Sequence, residues 1–437
     1  SAGTTRAHYS KTFAIDGVQL LTFVDTPGFE FASRINAWLD ARAGEGSARS
    51  DGRSTIEEFL ADPTVHARHA PERDALRGVL QADVIAYVAD VVLPPEGQLV
   101  QEVRLLRRAG VPMIGILNNL HAQEGATARW VEMLRREGID AIVQLDALRF
   151  RAAQERGFYE ALRVLRPEHA AAFARVSGLR AEREASTRAR SAVAIAEAIV
   201  DSLSYRQVSE HADSAAATRA RSGENELFKA TLRRRERALF EELAAIHGFG
   251  ATQLSGDALA VPSWSGAVQD DLFDPEALSR YGLSTATLAA VGALTAGVFD
   301  LFGGHGLGLA VGGVAGAAAG LFLGRRVSSA VEAGRLTIGP VDPVQFPSVL
   351  LHRALDCHAQ LAERSHADRG DLVVGSSPPT RLDARGAQGL LKLARRCRRR
   401  ADWSTLAGGT LAADRSEVVG AMGTLVAGLL APPDATP

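Results

Sequence analysis

Residues Asp83–Val91, "DVIAYVADV", decide how the first third of the chain is read. The run is apolar and β-branched, as a strand buried on both faces of a parallel sheet requires. Val111–Leu117 "VPMIGIL" and Ile139–Leu145 "IDAIVQL" repeat the pattern downstream. Upstream, Thr12–Asp16 and Leu20–Asp25 read as two more strands about a turn at Gly17. Between the later strands lie Glu96–Arg108, with Leu99, Val103 and Leu106 on one helical face, and Ala126–Glu137. Alternation of strands with amphipathic helices predicts an α/β domain whose sheet is covered on both faces. Such sheets bind ligands at the carboxyl ends of their strands, where Asp25 and Asn118 fall.

Composition narrows the classes. The 437 residues allow two or three domains with sizeable cores. A net charge of −2 gives no push toward nucleic acid as a bulk partner. Two cysteines, Cys357 and Cys397, make neither a disulfide framework nor a four-thiolate metal site, which suits a reducing cytoplasm. No basic-then-apolar signal segment follows Ser1, so the expected location is cytoplasmic. GxSxG, HExxH and CxxC are all missing from the sequence, and Glu57 and Glu58 read as a solvated helix start.

Two short motifs carry chemistry: Gly3–Arg6 "GTTR" and Phe23–Glu30 "FVDTPGFE". Taken alone, Asp-Thr-Pro-Gly has two readings. Proline followed by glycine makes a plain turn. At the end of a strand, the same residues can hold a magnesium ion and sense a terminal phosphate. The threonine pair upstream and the strand leading in favour the second. A phosphate-cradling loop needs lysine between glycine and Ser or Thr. The lysines are Lys11, Lys229 and Lys392, and none has that setting. Gly370–Ser377 "GDLVVGSS" has serine where lysine belongs.

From "GTTR" through "DTPGFE", "ADVIAYVADV" and "PMIGILNN", the chain resembles an Era-like GTPase read from switch I onward. More closely, it resembles bacterial Era-like GTPase-related proteins that carry a large helical C-terminal domain of unknown function. The resemblance implies a truncated P-loop GTPase-type parallel sheet, followed by an all-α region with a glycine-rich helical hairpin. It also implies GTP and Mg²⁺ as cofactors. Thr5 matches the switch threonine that reaches the metal and the attacking water. Asp25 matches the carboxylate that holds the metal, and Gly28 the glycine whose amide senses the terminal phosphate. One hydroxyl and one carboxylate suit Mg²⁺, which prefers oxygen ligands and keeps most of its waters.

Asn118 matches the first residue of the base-reading Asn-Lys-x-Asp. Asn119 and His121 stand where that motif has lysine and aspartate, which leaves a base contact and a simple strand-end turn both open. Asp146 lies in the loop that would neighbour the base. Phe29 stands near where some GTPases carry a catalytic glutamine, so hydrolysis is expected to be slow. The family begins with the phosphate loop, so GxxxxGK[ST] is expected within roughly forty residues before Ser1, and this chain alone is expected to be inactive.

Residues 1–150 are thus expected to be the nucleotide-type domain. Beyond them Ala152–Leu165, Ala170–Ser204 and Glu224–His247 read as long helices, giving a helical region at 151–280 and another at 327–437. Arg233, Arg234, Arg235 and Arg237 form one basic run; Arg395, Arg396, Arg398, Arg399 and Arg400 form a second. Each is either a solvated face or a seat for an anionic surface. Aromatic residues are scarce beside both, which argues against single-stranded RNA.

Segment 281–326 reads as a glycine-rich apolar hairpin. Tyr281–Phe299 and Leu301–Gly324 are free of charge, interrupted only by Asp300. Gly304, Gly308, Gly312, Gly316, Gly320 and Gly324 recur every four residues, a stripe that permits close approach of a facing helix. Membrane or self-association through 281–324, at the inner face of the cytoplasmic membrane, stands beside a buried hairpin as the two readings. The rival function is correspondingly a membrane-associated or self-assembling structural protein whose nucleotide fold is vestigial.

Overall fold

A computed structural model describes residues 9–15, 18–26, 28–45, 52–66, 70–118, 125–146, 152–249, 272–273, 327–343, 345–364 and 382–431. Thr5, Asn119, His121 and the glycine-rich segment 281–326 lie outside them. The chain divides into two compact units: Ser1–Arg183 with Glu363–Asp368, and Glu184–Ala362 with Arg369–Pro437.

In the first unit, β1 (Tyr9–Ile15) and β2 (Val18–Asp25) form an antiparallel pair in register from Tyr9↔Asp25 to Ile15↔Val18. Two intervening residues leave no room for a crossover, so antiparallel pairing is forced. Four helices follow: α1 (Ala32–Glu45), α2 (Gly52–Ala61), the single turn α3 (Pro63–His66) and α4 (Ala70–Gln81). Then strands and helices alternate as β3 (Ile85–Asp90), α5 (Gln98–Arg108), β4 (Met113–Asn118), α6 (Ala126–Arg136), β5 (Ile142–Gln144) and α7 (Ala152–Leu165). The parallel sheet has the order β3–β4–β5, paired Ile85↔Met113 through Asp90↔Asn118 and Gly115↔Ile142 through Leu117↔Gln144.

Both faces of β4 are covered, whereas β3 buries one face and leaves Ala86 and Val88 exposed on the other, which corrects the expectation of a strand buried on both faces. Tyr87, Leu117, Val103, Leu106, Trp130 and Leu134 pack in one cluster. On the other face Ile114 and Ile116 meet Phe158, Tyr159 and Leu162 of α7. A side chain at Gly115 would come within 2.7 Å of Leu134 Cδ1, so glycine is what lets α6 lie close on β4. Because α7 supplies the second cover, the first unit continues past residue 150. The hairpin β1–β2 is a separate sheet, not part of a continuous one.

The second unit takes α8 (Ala170–Ser204) from residue 184 on, then β6 (Gln207–Glu210) and α9 (Ser214–Ile246). It continues with β7 (Val327–Glu332), β8 (Arg335–Val341), α10 (Gln345–Glu363, of which Glu363 falls in the first unit), α11 (Ala384–Cys397) and α12 (Arg415–Leu430). It is mostly helical, but the expectation of an all-helical region is corrected: β6–β8–β7 form a three-stranded antiparallel sheet. The hairpin turn between β7 and β8 is Ala333-Gly334, both with positive φ (46° and 84°), as a turn matched to strand twist requires. Alanine is a poor marker for that geometry. β6 has only four residues, and its partner β8 lies more than a hundred positions downstream.

The two basic runs are partly neutralised. Arg235 pairs with Asp201, Arg233 reaches Glu226, Arg396 pairs with Glu417, and Arg400 pairs with Asp402 and Asp414. Among the described residues, no helix is long and apolar enough to cross a membrane.

Candidate functional site

The carboxyl end of the parallel sheet is assembled from strand ends and the loops that leave them. Asp90 and Asn118 are the last residues of β3 and β4 and stand opposite each other in register. The chain turns immediately after Asp90: its carboxylate accepts from Val92 N at 3.0 Å, and Val91 N donates to Asn118 O at 3.1 Å. Trp130 Nε1 donates to Leu93 O at 2.8 Å, which ties the same loop to α6. Asp146 follows β5 on the same edge and is 4% exposed. Burial singles it out in a way its sequence neighbourhood does not.

Asp25 ends β2 and is exposed. Gly28 is exposed too, with open space where a side chain would stand, so packing does not explain glycine there. Phe29, next to it, is buried in the core of the first unit. Its carbonyl accepts from Gln98 Nε2 at 2.7 Å. Gln98 opens α5, the helix reached from the end of β3. The loop after β2 is therefore fastened to the helix that follows β3. Downstream of the loop, α1 is held to α5 as well, by Asn36 Nδ2 donating to Gln101 O (2.9 Å) and Oε1 (3.0 Å) and by the Arg108–Asp40 ion pair.

Of the residues singled out in the sequence, Asn118 is thus set in the parallel sheet beside Asp90, and Gly28 in the loop docked on α5. Asp25 stays in the separate hairpin, and Thr5 is outside the described residues. The sequence reading missed Gln98, Glu102 and Tyr87. Glu102 lies one turn beyond Gln98 on α5, facing Tyr87 of β3. Burial pushes its carboxyl up to about 7, while hydrogen bonds from Tyr87 and Gln98 pull the other way. Burial, then the nearby Glu102 charge, pushes the Tyr87 hydroxyl far up, so it stays a donor. The helical offset of four between Gln98 and Glu102 was the available signal.

The raised carboxyl has a consequence for stability. An acid whose folded pKa exceeds its unfolded value stabilises the fold fully below the unfolded pKa, and that contribution is lost as pH rises through about 7. Glu102→Gln, which cannot ionise, is expected to raise stability over the parent by roughly 1–2 kcal/mol at pH 8, less than the full shift because solvent screens the partly exposed carboxyl, and little at pH 4.5. Urea melts of parent and variant at the two pH values check this, and equal differences at both would refute it.

Among the described residues, no three His, Cys, Asp or Glu side chains are grouped to hold a metal. His247 Nε2 and His358 Nδ1 lie 3.1 Å apart, and burial pulls them down to about 4 and about 3, so the pair is neutral and structural. Both cysteines are buried, and burial raises both thiols, Cys397 to about 12, so neither is a reactive nucleophile.

No curated protein and no solved structure matches the chain. One family model does match, over residues 131–424, and it spans α6 to α12 while leaving β1–β4 unmatched. The chain therefore belongs to the family described as Domain of unknown function (DUF3482).

Proposed function

We propose that the protein is a Mg²⁺-dependent GTP-binding switch of the Era-like type that hydrolyses GTP slowly. The carrying observation is the bond from Gln98 Nε2 to Phe29 O, which fastens the Asp-Thr-Pro-Gly loop to the helix following β3. The loop is held there by the Gln98 amide and the buried Phe29 side chain; a shift of this segment when a phosphate arrives or leaves would be carried outward by α1, joined to α5 by Asn36. The residues fit the cofactor by their donor chemistry. Asp25 offers an exposed carboxylate, and Gly28 an amide that no side chain crowds. Asp25 would hold Mg²⁺, with Thr5 as its partner; Gly28 would contact the terminal phosphate and Asn118 the base. Bound Mg²⁺ would neutralise charge on the phosphates.

Titrating the full native protein with a fluorescent GTP analogue, with and without Mg²⁺, tests this. Asp25→Ala is expected to weaken Mg²⁺-dependent binding at least about tenfold, 1.4 kcal/mol. Without the lysine and aspartate of the base motif, preference for GTP over ATP is expected to stay below about a hundredfold, nearly 3 kcal/mol. Tight GTP binding that ignores both Mg²⁺ and Asp25→Ala would move the site elsewhere.

A further inference from the structure

Arg233, Arg235, Arg396 and Arg400 of the two basic runs find carboxylates. Arg398 does not, and it meets a second arginine from another element. α8 ends at Ser204 and α11 at Cys397, and these two helix ends meet: Ser204 Oγ donates to Cys397 O at 3.1 Å. Arg206 follows the first end and Arg398 the second. The Arg206 guanidinium donates to Ser204 O at 3.2 Å and to Arg398 O, and so caps both helices. Those carbonyls take up hydrogen bonds and a fraction of a charge, because a helix C-terminus carries only about half an electron charge. Two full positive charges remain.

Among the described residues, no carboxylate pairs with either guanidinium. Contrast Arg235 and Arg415, which share Asp201, and Arg353, which has Glu236. Asp342 attracts Arg398 without forming an ion pair with it. Burial, then the neighbouring Arg398 charge, lowers the Arg206 guanidinium, and burial lowers that of Arg398.

The free donors have a shape. Arg398 Nε is buried with no hydrogen-bond partner, and Arg398 Nη2 has only Ser328 Oγ, at 3.5 Å, the far limit of a hydrogen bond. Nε–H and Nη2–H point to the same side of a guanidinium. They form the side-on fork that matches two oxygens of a phosphate. Ser328, at the start of β7, is exposed and offers a hydroxyl at the same edge.

We infer that Arg398, Arg206 and Ser328 form a binding site for a phosphate-class oxyanion. The anion takes the side-on fork of Arg398 and displaces its long contact to Ser328. It accepts from the Ser328 hydroxyl and neutralises the facing charge of Arg206. The source of the phosphate is either a soluble anion or a phospholipid headgroup, and the recognition chemistry is the same for both.

Binding is measured on the full chain with two probes at constant ionic strength. One is inorganic pyrophosphate, followed by thermal shift and calorimetry. The other is phosphatidylcholine vesicles with and without phosphatidic acid, followed by cosedimentation. Arg398→Gln and Ser328→Ala are compared with Arg237→Gln, an exposed arginine of α9 outside the site. Arg398→Lys is the second variant if the glutamine version folds poorly, since it keeps the charge and loses the fork. The site predicts saturable binding of at least one probe, weakened at least about tenfold by either variant of Arg398, less by Ser328→Ala, and unchanged by Arg237→Gln.

Cosedimentation with phosphatidic acid vesicles, without a pyrophosphate shift, assigns the site to a headgroup; the converse assigns it to a soluble anion. Failure of both probes, or equal weakening by Arg237→Gln and the Arg398 variants, overturns the inference.

Discussion

Arg353→Met is expected to destabilise the second unit by about 3–5 kcal/mol. Arg353 is 2% exposed as a side chain, and its Nε and Nη2 donate to Glu236 Oε1 at 2.6 Å and Oε2 at 3.2 Å. The fork joins α10 to α9 deep in the core. Methionine fills much of the volume but offers no donor, so the Glu236 carboxylate, itself 7% exposed, loses the fork while staying buried. The cost is mostly that of keeping a buried charge after this partner is gone rather than of the lost attraction. A double variant, Arg353→Met with Glu236→Leu, should therefore recover more than half of the loss, because it removes both charges together. Urea unfolding of the parent, the two single variants and the double variant measures the coupling directly. If Arg353→Met costs under about 1 kcal/mol, the pair is not desolvated as its burial implies. An additive double variant would show that the two groups do not act on each other.

That pair was invisible in the sequence, and the reason is general to the second unit. Glu236 and Arg353 are more than a hundred positions apart, and the three consecutive arginines before Glu236 read as a surface run. Local pattern reports which face of a helix is apolar, but it does not report which buried carboxylate will meet which arginine. The same limit hid β6–β8–β7, whose strands are short and whose first member pairs far downstream. By contrast, the parallel strands were legible because each is a dense apolar run, and β3, β4 and β5 all fall inside the predicted stretches but for the last residue of β4. Long helices were legible as well: α7 and α8 have the predicted bounds, since their Ala-rich periodicity has no competing signal. At the candidate site, strand ends marked Asp25 and Asn118. The Gln98–Phe29 and Gln98–Glu102–Tyr87 contacts were not readable, because they depend on how α5 is rotated over β3.

Asp201→Ala is the other change with a large expected effect, again about 3–5 kcal/mol. Asp201 sits on α8 and is 1% exposed. Its Oδ2 accepts from Arg235 Nε at 2.9 Å, and its Oδ1 from Arg415 Nη2 at 3.0 Å and Thr405 N at 3.1 Å. One carboxylate thus holds α9, α12 and the turn at Ser404-Thr405 against α8, and Ser404 Oγ adds a bond to the Asp201 carbonyl at 2.9 Å. Asp201 compensates both guanidiniums, and Glu197 adds a longer ion pair to Arg415 at 3.7 Å. Removing the acid leaves Arg235 a mostly buried positive charge without its Asp201 partner and leaves Arg415, also mostly buried, with only the longer Glu197 contact. Asp201→Asn distinguishes geometry from charge. The amide oxygen can still accept from Thr405 or an arginine, but it carries no charge and its NH₂ opposes the other donor. It is therefore expected to cost nearly as much as alanine. Hydrogen exchange should then show α12 losing protection before α8 and α9, because α12 reaches the cluster only through Arg415. Asp201→Asn that melts with the parent would mean the bonds act by shape alone. Uniform loss of protection across the unit would mean the cluster is not what holds α12 in place.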